Sequence, residues 1–208
     1  MFEVLDLYAQ PYDPRRPKVC FDEKSKELHV EKREPLPMKP GQPRRQDYEY
    51  KRNGTRNLFV FVEPQAGFRH VLITRRRTKL EFAYAMRYLV DVLYPDAEWI
   101  DVVLDQLNTH NEVTLIEIFG KAEADRILNR LRFHHTPAHA SWLNMAEIEI
   151  GVLENQCLDR RIPDEFSLGK EIVAWETRRN DQKATIHWSF TRKKAEMTFS
   201  KNQSYSSC

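Results

Sequence analysis

Apolar positions along the chain fall into short runs with strand or helix spacing, separated by polar and proline-rich stretches. Lys18-Val-Cys-Phe-Asp-Glu23 is apolar and β-favouring, and Pro17 bounds it, which predicts a strand over 18–23. Residues 36–54 follow Pro35 and carry Pro37, Pro40, Gly41 and Pro43, so no regular helix is expected there. Strands are predicted over 58–62 and 69–74, joined as a hairpin through Pro64-Gln-Ala-Gly67. Thr78 and Glu81 form a capping box for a helix whose apolar stripe is Phe82, Ala85, Met86, Leu89, Val90 and Leu93; Pro95 stops it. Trp99-Ile-Asp-Val-Val-Leu-Asp105 has a nearly continuous apolar centre, the pattern of a strand buried on both faces. Short helices are predicted over 113–119 and 121–131, and a brief strand over 132–136. A helix starts at Asn144 with the stripe Ala146, Ile150, Leu153 and Cys157, and another spans 165–179 with Leu168, Ile172 and Trp175. A short strand over 185–190 and a polar tail complete the pattern.

Three antiparallel strands followed by right-handed crossovers predict an α/β fold, a mixed five-stranded sheet with helices on both faces. The expected organisation is a lead-in over 1–17, a main domain over 18–160, and an appendage over 161–208 of helix, short strand and tail.

Composition narrows the class. With 41% hydrophobic and 31% charged residues the chain reads as an ordinary globular protein, not a disordered one. No apolar run approaches the roughly 20 residues a membrane span needs, so no membrane partner is expected. The acidic N-terminus lacks the pattern of a secretory signal. Cys20, Cys157 and Cys208 show no metal-ligand spacing and read as free thiols, which makes a cytoplasmic location the default. The net charge of +2 says less than its distribution. Residues 91–125 hold nine acids and one base, whereas 39–56, 68–79 and 178–201 are basic. Such runs are either solvated faces or surfaces that attract a polyanion beside a carboxylate site.

Three carboxylates stand out. Asp22 lies near the end of the first strand, and Asp105 ends the buried one, where open α/β sheets place their sites. Glu147 lies in the first turn of its helix, a position also explained by capping and the helix dipole. Gly151, one turn later, suggests close backbone approach. If the two strands are parallel neighbours, Asp22 and Asp105 emerge side by side, and a helix crossing that edge brings Glu147 within reach. Carboxylates so close resist ionisation unless a cation lies among them, and hard oxygen ligands suit Mg²⁺ or Mn²⁺. Two such ions about 4 Å apart would serve phosphodiester chemistry.

The segments Val-Cys-Phe-Asp-Glu around Asp22, Val-Val-Leu-Asp-Gln-Leu-Asn-Thr-His around Asp105 and His-Thr-Pro-Ala-His-Ala-Ser-Trp-Leu-Asn-Met-Ala-Glu ending at Glu147 resemble the bacterial insertion-sequence branch of the Tc/mariner transposases. The likeness runs over about 4–190, and Ser141-Trp-Leu-Asn-Met-Ala-Glu147 is its most specific part. It implies a ribonuclease-H-like fold and a catalytic, metal-binding Asp22–Asp105–Glu147 triad. It also implies DNA strand cleavage and transfer on transposon ends and target, in a homodimer bound to DNA. The proline-rich basic segment at about 35–56 then reads as a clamp-type insertion; on composition alone it is a linker. Only 21 residues precede Asp22, where the family usually carries helix-turn-helix domains, so an N-terminally truncated piece is expected. The alternatives are a ribonuclease-H-like nuclease and a non-catalytic remnant that binds DNA.

Arg44, Arg45, Arg75, Arg76 and Arg77 are candidate contacts to the DNA backbone, though an exposed arginine loop needs no ligand. Asn108 and His110, just after Asp105, are placed to touch a substrate phosphate, and His139 is a further candidate contact. His134, His135 and His139 have no cysteine or acid nearby to complete a zinc set. The absence of a Gly-rich phosphate loop argues against a nucleotide cofactor.

Overall fold

Period-two alternation along the strands builds the centre of the molecule. The computed structural model describes residues 1–34, 36, 38–42 and 47–203. Strands β1 (Lys18–Glu31), β2 (Tyr50–Glu63) and β3 (Phe68–Thr74) form an antiparallel meander. On the other side of β1 lies β4 (Ile100–Leu104), with β5 (Leu131–His135) beyond it, both parallel to β1, giving the order β3-β2-β1-β4-β5. Alternate side chains go to opposite faces. Val19, Phe21, Phe59, Phe61 and Val102 join one apolar cluster; Cys20, Leu58, Val60, Val62 and Val103 join the other.

Helices α2 (Lys79–Tyr88), α3 (Glu112–Phe119) and α4 (Lys121–Leu128) cover the first face through residues such as Phe82, Leu115 and Ile127. Helices α1 (Phe2–Ala9), α5 (Met145–Leu153), α6 (Glu165–Asp181) and α7 (Arg192–Gln203) contribute Val4, Leu153, Trp175 and Ala195 to the second. Each fully buried Phe, Leu or Val contributes about 1.5–3 kcal/mol, so two continuous layers are ample to fix the sheet. The α2 capping box forms as the sequence predicts: Thr78 Oγ1 accepts from Leu80 N, and Glu81 accepts from Thr78 N at 2.9 Å.

Several elements differ from the sequence reading. β1 and β2 run on as a two-stranded ribbon, Glu27 pairing with Thr55 and Glu31 with Tyr50. Apart from the buried Leu28 the ribbon is largely polar and held by ladder hydrogen bonds, so its polar residues concealed it. Residues 2–9 are helical where only a lead-in was expected, with Val4, Leu5 and Leu7 buried. Residues 185–190 form no strand: Ile186 N donates to Pro64 O at 3.0 Å, and Ile186, Trp188 and Phe190 pack against the core without a ladder. The supposed polar tail contains α7.

The exposed edge of the sheet is covered. On α6, the Asn180 side chain bonds both N and O of Arg69 at 2.9 Å, and Glu176 accepts from Val71 N at 3.0 Å. These contacts occupy β3 backbone groups that would otherwise offer a pairing edge. Gly67 makes this approach possible: its φ is +68°, and an added Cβ would lie 2.5 Å from the Lys183 carbonyl carbon. No helix among the described residues is long and apolar enough to cross a membrane.

Candidate active site

The parallel register decides where the acids meet. Lys18 pairs with Asp101 and Cys20 with Val103, so two residues further along Asp22 stands level with Asp105, just past the end of β4. Asp22 shares the parity of Cys20, whose face is covered by α5. Asn144 caps that helix and ties it down. Its Oδ1 accepts from Ala146 N at 3.1 Å, while its buried Nδ2 donates to Phe21 O at 2.8 Å. The cap thus grips the strand one residue before Asp22, and Glu147 follows in the first turn of α5. A cleft of about 500 Å³ opens between Asp22, Glu23 and Lys24 of β1 and Glu147, Gly151 and Glu154 across from them. Nothing lies within 4 Å of a Cβ added at Gly151, so the glycine is bare cleft wall rather than the close approach expected from sequence.

Electrostatics show the three acids to be coupled. Burial pushes the Asp22 carboxyl up to about 6, although Glu23 N donates to it at 2.7 Å; the neighbouring charges of Asp105 and Glu147 push it the same way. Asp105 behaves oppositely. Burial raises it, but the hydrogen bond and charge of His110 prevail and hold it below the ordinary carboxylate value.

His110, a candidate phosphate contact in the sequence, is 1% exposed and packed behind the acids. Its Nδ1 lies 2.6 Å from Asp105 Oδ1 and its Nε2 3.1 Å from Glu23 Oε1, with its ring stacked on Phe82 at 4.7 Å. Burial opposes its charge, yet the hydrogen bonds to Asp105 and Glu23 lift its pKa to about 9. His110 therefore orients one catalytic candidate, and Glu23, which the sequence reading passed over, supports it. The spacing of Asp105 and His110 was a usable signal; the Glu23 contact spans 87 residues and had none.

The other candidates lie in surface loops and on β5. Arg75, Arg76 and Arg77 form an exposed loop after β3, and Arg77 comes within 4.0 Å of Glu23, which places the loop beside the acids. Asn108 is exposed near Asp105. His139 is exposed in the loop before α5, with φ of 61°. His134 instead bonds Glu3 and Asp101, both at 2.8 Å, and His135 Nδ1 lies 3.1 Å from Asp105 O. Arg44 and Arg45 lie outside the described residues. Residues 50–56 of the expected insertion belong to β2.

Among the described residues no three His, Cys, Asp or Glu side chains form a ready-made metal cage. The donor set nevertheless fits a hard divalent cation: Asp22 is pushed towards neutrality by burial and, to a lesser degree, by its acidic neighbours, and all three groups offer carboxylate oxygens.

Comparisons with known proteins bear on the fold. The Mos1 mariner paired end complex with Mn superposes with a TM-score of 0.57 at 16% identity, covering 88% of this chain and 54% of that one. The Mos1 strand transfer complex gives 0.57 at 17%, with 88% and 53% covered. A pre-cleavage Mos1 transpososome gives 0.53 at 15%, with 90% and 61% covered. These likenesses establish the ribonuclease-H-like fold, and the chain spans little more than half the length of the proteins it resembles. A search of curated proteins finds no significant sequence match. The family model described as DDE superfamily endonuclease matches residues 17–168, the whole sheet together with α2 to α5, and the chain belongs to that family.

Proposed function

We propose that this chain is the catalytic domain of a DNA transposase of the Tc/mariner type, which cleaves and joins DNA strands with a divalent cation held by Asp22, Asp105 and Glu147. The observation that carries the reading is the coupling of these three acids at one sheet edge, where Asp22 is driven up to about 6 by burial and by the other two. Mg²⁺ or Mn²⁺ bound there supplies Lewis acidity for in-line attack on a phosphodiester.

The chain's own residues do the rest. Asn144 fixes the entry of α5 against β1, and His110 holds Asp105 by one oxygen, leaving the other available. The Arg75–Arg76–Arg77 loop, with Asn108 and His139, provides exposed polar and cationic groups around the cleft for the DNA backbone. DNA is the expected partner, with a second copy of the chain in the complex.

Asp105→Asn removes a charge at unchanged shape. It is expected to abolish cation-dependent cleavage of a pre-assembled DNA end while far-ultraviolet dichroism stays as in wild type. Cleavage at the wild-type rate would refute the assignment. A plain nuclease is separated by its products, since a transposase joins a 3′-hydroxyl end to a second duplex.

A further inference from the structure

Helix α5 carries a charge where its periodicity calls for an apolar side chain. Its buried residues are Met145, Ala146, Glu149 and Leu153, a stripe at helical spacing, while Ile148 beside them is 44% exposed. Glu149 is fully buried. Arg179 of α6 grips it at two points, Nε to Oε1 and a terminal nitrogen to Oε2, both at 2.8 Å. Arg69 of β3, also fully buried, brings its Nε to 3.2 Å from Oε1. Arg69 is itself held by four acceptors, including Gly67 O at 2.7 Å, Arg179 O at 3.0 Å and Ala184 O at 2.5 Å. One carboxylate on α5 is thereby fixed to the sheet edge and to the neighbouring helix.

Stability does not call for this arrangement. Burying Glu149 and Arg69 fully and Arg179 in part is costly, and well-packed apolar residues in place of such a triad are often as stable or more so. What an ionic lock with fork geometry supplies is a single rotational setting. An apolar stripe of Ala and Leu tolerates sliding and small rotations, whereas the two-point guanidinium contact does not.

The setting matters because of what lies two residues earlier. Successive residues on an α-helix are about 100° apart, so Glu147 and Glu149 point in nearly opposite directions. Turning Glu149 inwards towards β3 and α6 directs Glu147 outwards to the cleft beside Asp22. The Asn144 cap fixes only the start of α5; the lock fixes its rotation.

We propose that the Arg69–Glu149–Arg179 triad is a positioning device that sets the rotation of α5 and so presents Glu147 to the cation site. This inference rests on the metal-dependent reading above. Glu149 touches neither substrate nor metal; it acts through the helix.

The test measures Mn²⁺ affinity by electron paramagnetic resonance, well below the melting temperature, for wild type, Asp105→Asn, Glu149→Gln and Glu149→Asp. Glu149→Asp keeps a carboxylate between both guanidiniums and shortens the arm by one methylene, so it stays folded if Glu149→Gln does not. Wild type is expected to bind Mn²⁺ in a manner that Asp105→Asn abolishes. Either Glu149 variant, folded by circular dichroism, is expected to bind at least tenfold more weakly, with non-specific DNA binding unchanged. A lower melting temperature with wild-type Mn²⁺ affinity would make the triad purely structural and overturn the proposal. Absence of Asp105-dependent Mn²⁺ binding in wild type would instead overturn the metal reading itself, and this inference with it.

Discussion

Replacing Asp22 by Asn should stabilise the cation-free protein. In the folded chain the Asp22 carboxyl titrates at about 6, against an ordinary value of 3.8, with burial as the largest cause and the Asp105 and Glu147 charges adding to it. A raised acid binds its proton more tightly when folded, so between these two values the folded state holds more protons than the unfolded one. Wild-type stability therefore falls as pH rises from about 4 to about 6, then levels off. A shift of about two units is worth at most about 3 kcal/mol, and partial hydration of the cleft reduces it to about 1–2 kcal/mol. Asn keeps the acceptor that Glu23 N uses and carries no charge. For a chain of this size the gain corresponds to a melting temperature higher by about 2–8 °C at pH 7.5 in chelator. Thermal scans at pH 4 and pH 7.5 check it: the difference should vanish at the lower pH, and Mn²⁺ should stabilise wild type but not the variant. An Asp22→Asn protein less stable than wild type at pH 7.5 in chelator would refute the argument that burial and the neighbouring acids disfavour the Asp22 carboxylate.

The remaining predictions probe different parts of the molecule. The His110 pKa is lifted to about 9, so its stabilising charge is fully present below about 6.5 and is lost as pH rises through about 9. The wild-type melting temperature should fall across that window more steeply than that of His110→Gln, and parallel curves would count against the bridge to Asp105 and Glu23. Gly67→Ala should cost about 2 kcal/mol or more in urea unfolding, because φ is +68° and the new Cβ meets the Lys183 backbone at 2.5 Å; a neutral result would mean that the 183–184 segment yields freely. DNA binding by this chain should be weak, indifferent to sequence and strongly salt-dependent, and alanine at Arg75, Arg76 and Arg77 should flatten the salt slope. Titrations of transposon-end and scrambled duplexes at two salt concentrations check it, and salt-resistant preference for one sequence would contradict it.

Most of the fold was legible because each strand and helix advertises its buried face. The Trp99-to-Asp105 run announces β4 as doubly buried, and Thr78 with Glu81 announces the start of α2. Two kinds of element escaped. The outer half of the β1–β2 ribbon is mostly polar, with Leu28 its one fully buried apolar residue, and is defined by pairing, which no local pattern encodes. Helix α1 has a buried face, but eight residues give too little periodicity to separate it from a lead-in. Residues 185–190 failed in the other direction: Ile186, Trp188 and Phe190 alternate like a strand because alternate residues face the core, yet no neighbouring strand lies beside them.

At the site, legibility followed the same division. Asp22, Asp105 and Glu147 could be singled out as candidates since strand ends and a helix start are local features, and parallel register brings the first two level. What holds them was not. Glu149 gives no local signal, since its partners Arg179 and Arg69 come from α6 and β3, 30 and 80 residues away. His110 reads as a substrate contact until Phe21 and Phe82 are seen packed around its ring. In both cases a charged side chain is buried by partners distant in sequence, and burial reverses its meaning. Water would screen the pair in an unfolded segment, whereas the folded interior turns the same charge into a fixed geometric constraint. The acids proposed to do chemistry would have to stay partly wet to meet a substrate, and such groups remain near the surface and visible in local pattern. The groups that aim them gain their rigidity by being dry, and for that reason only the assembled fold reveals them.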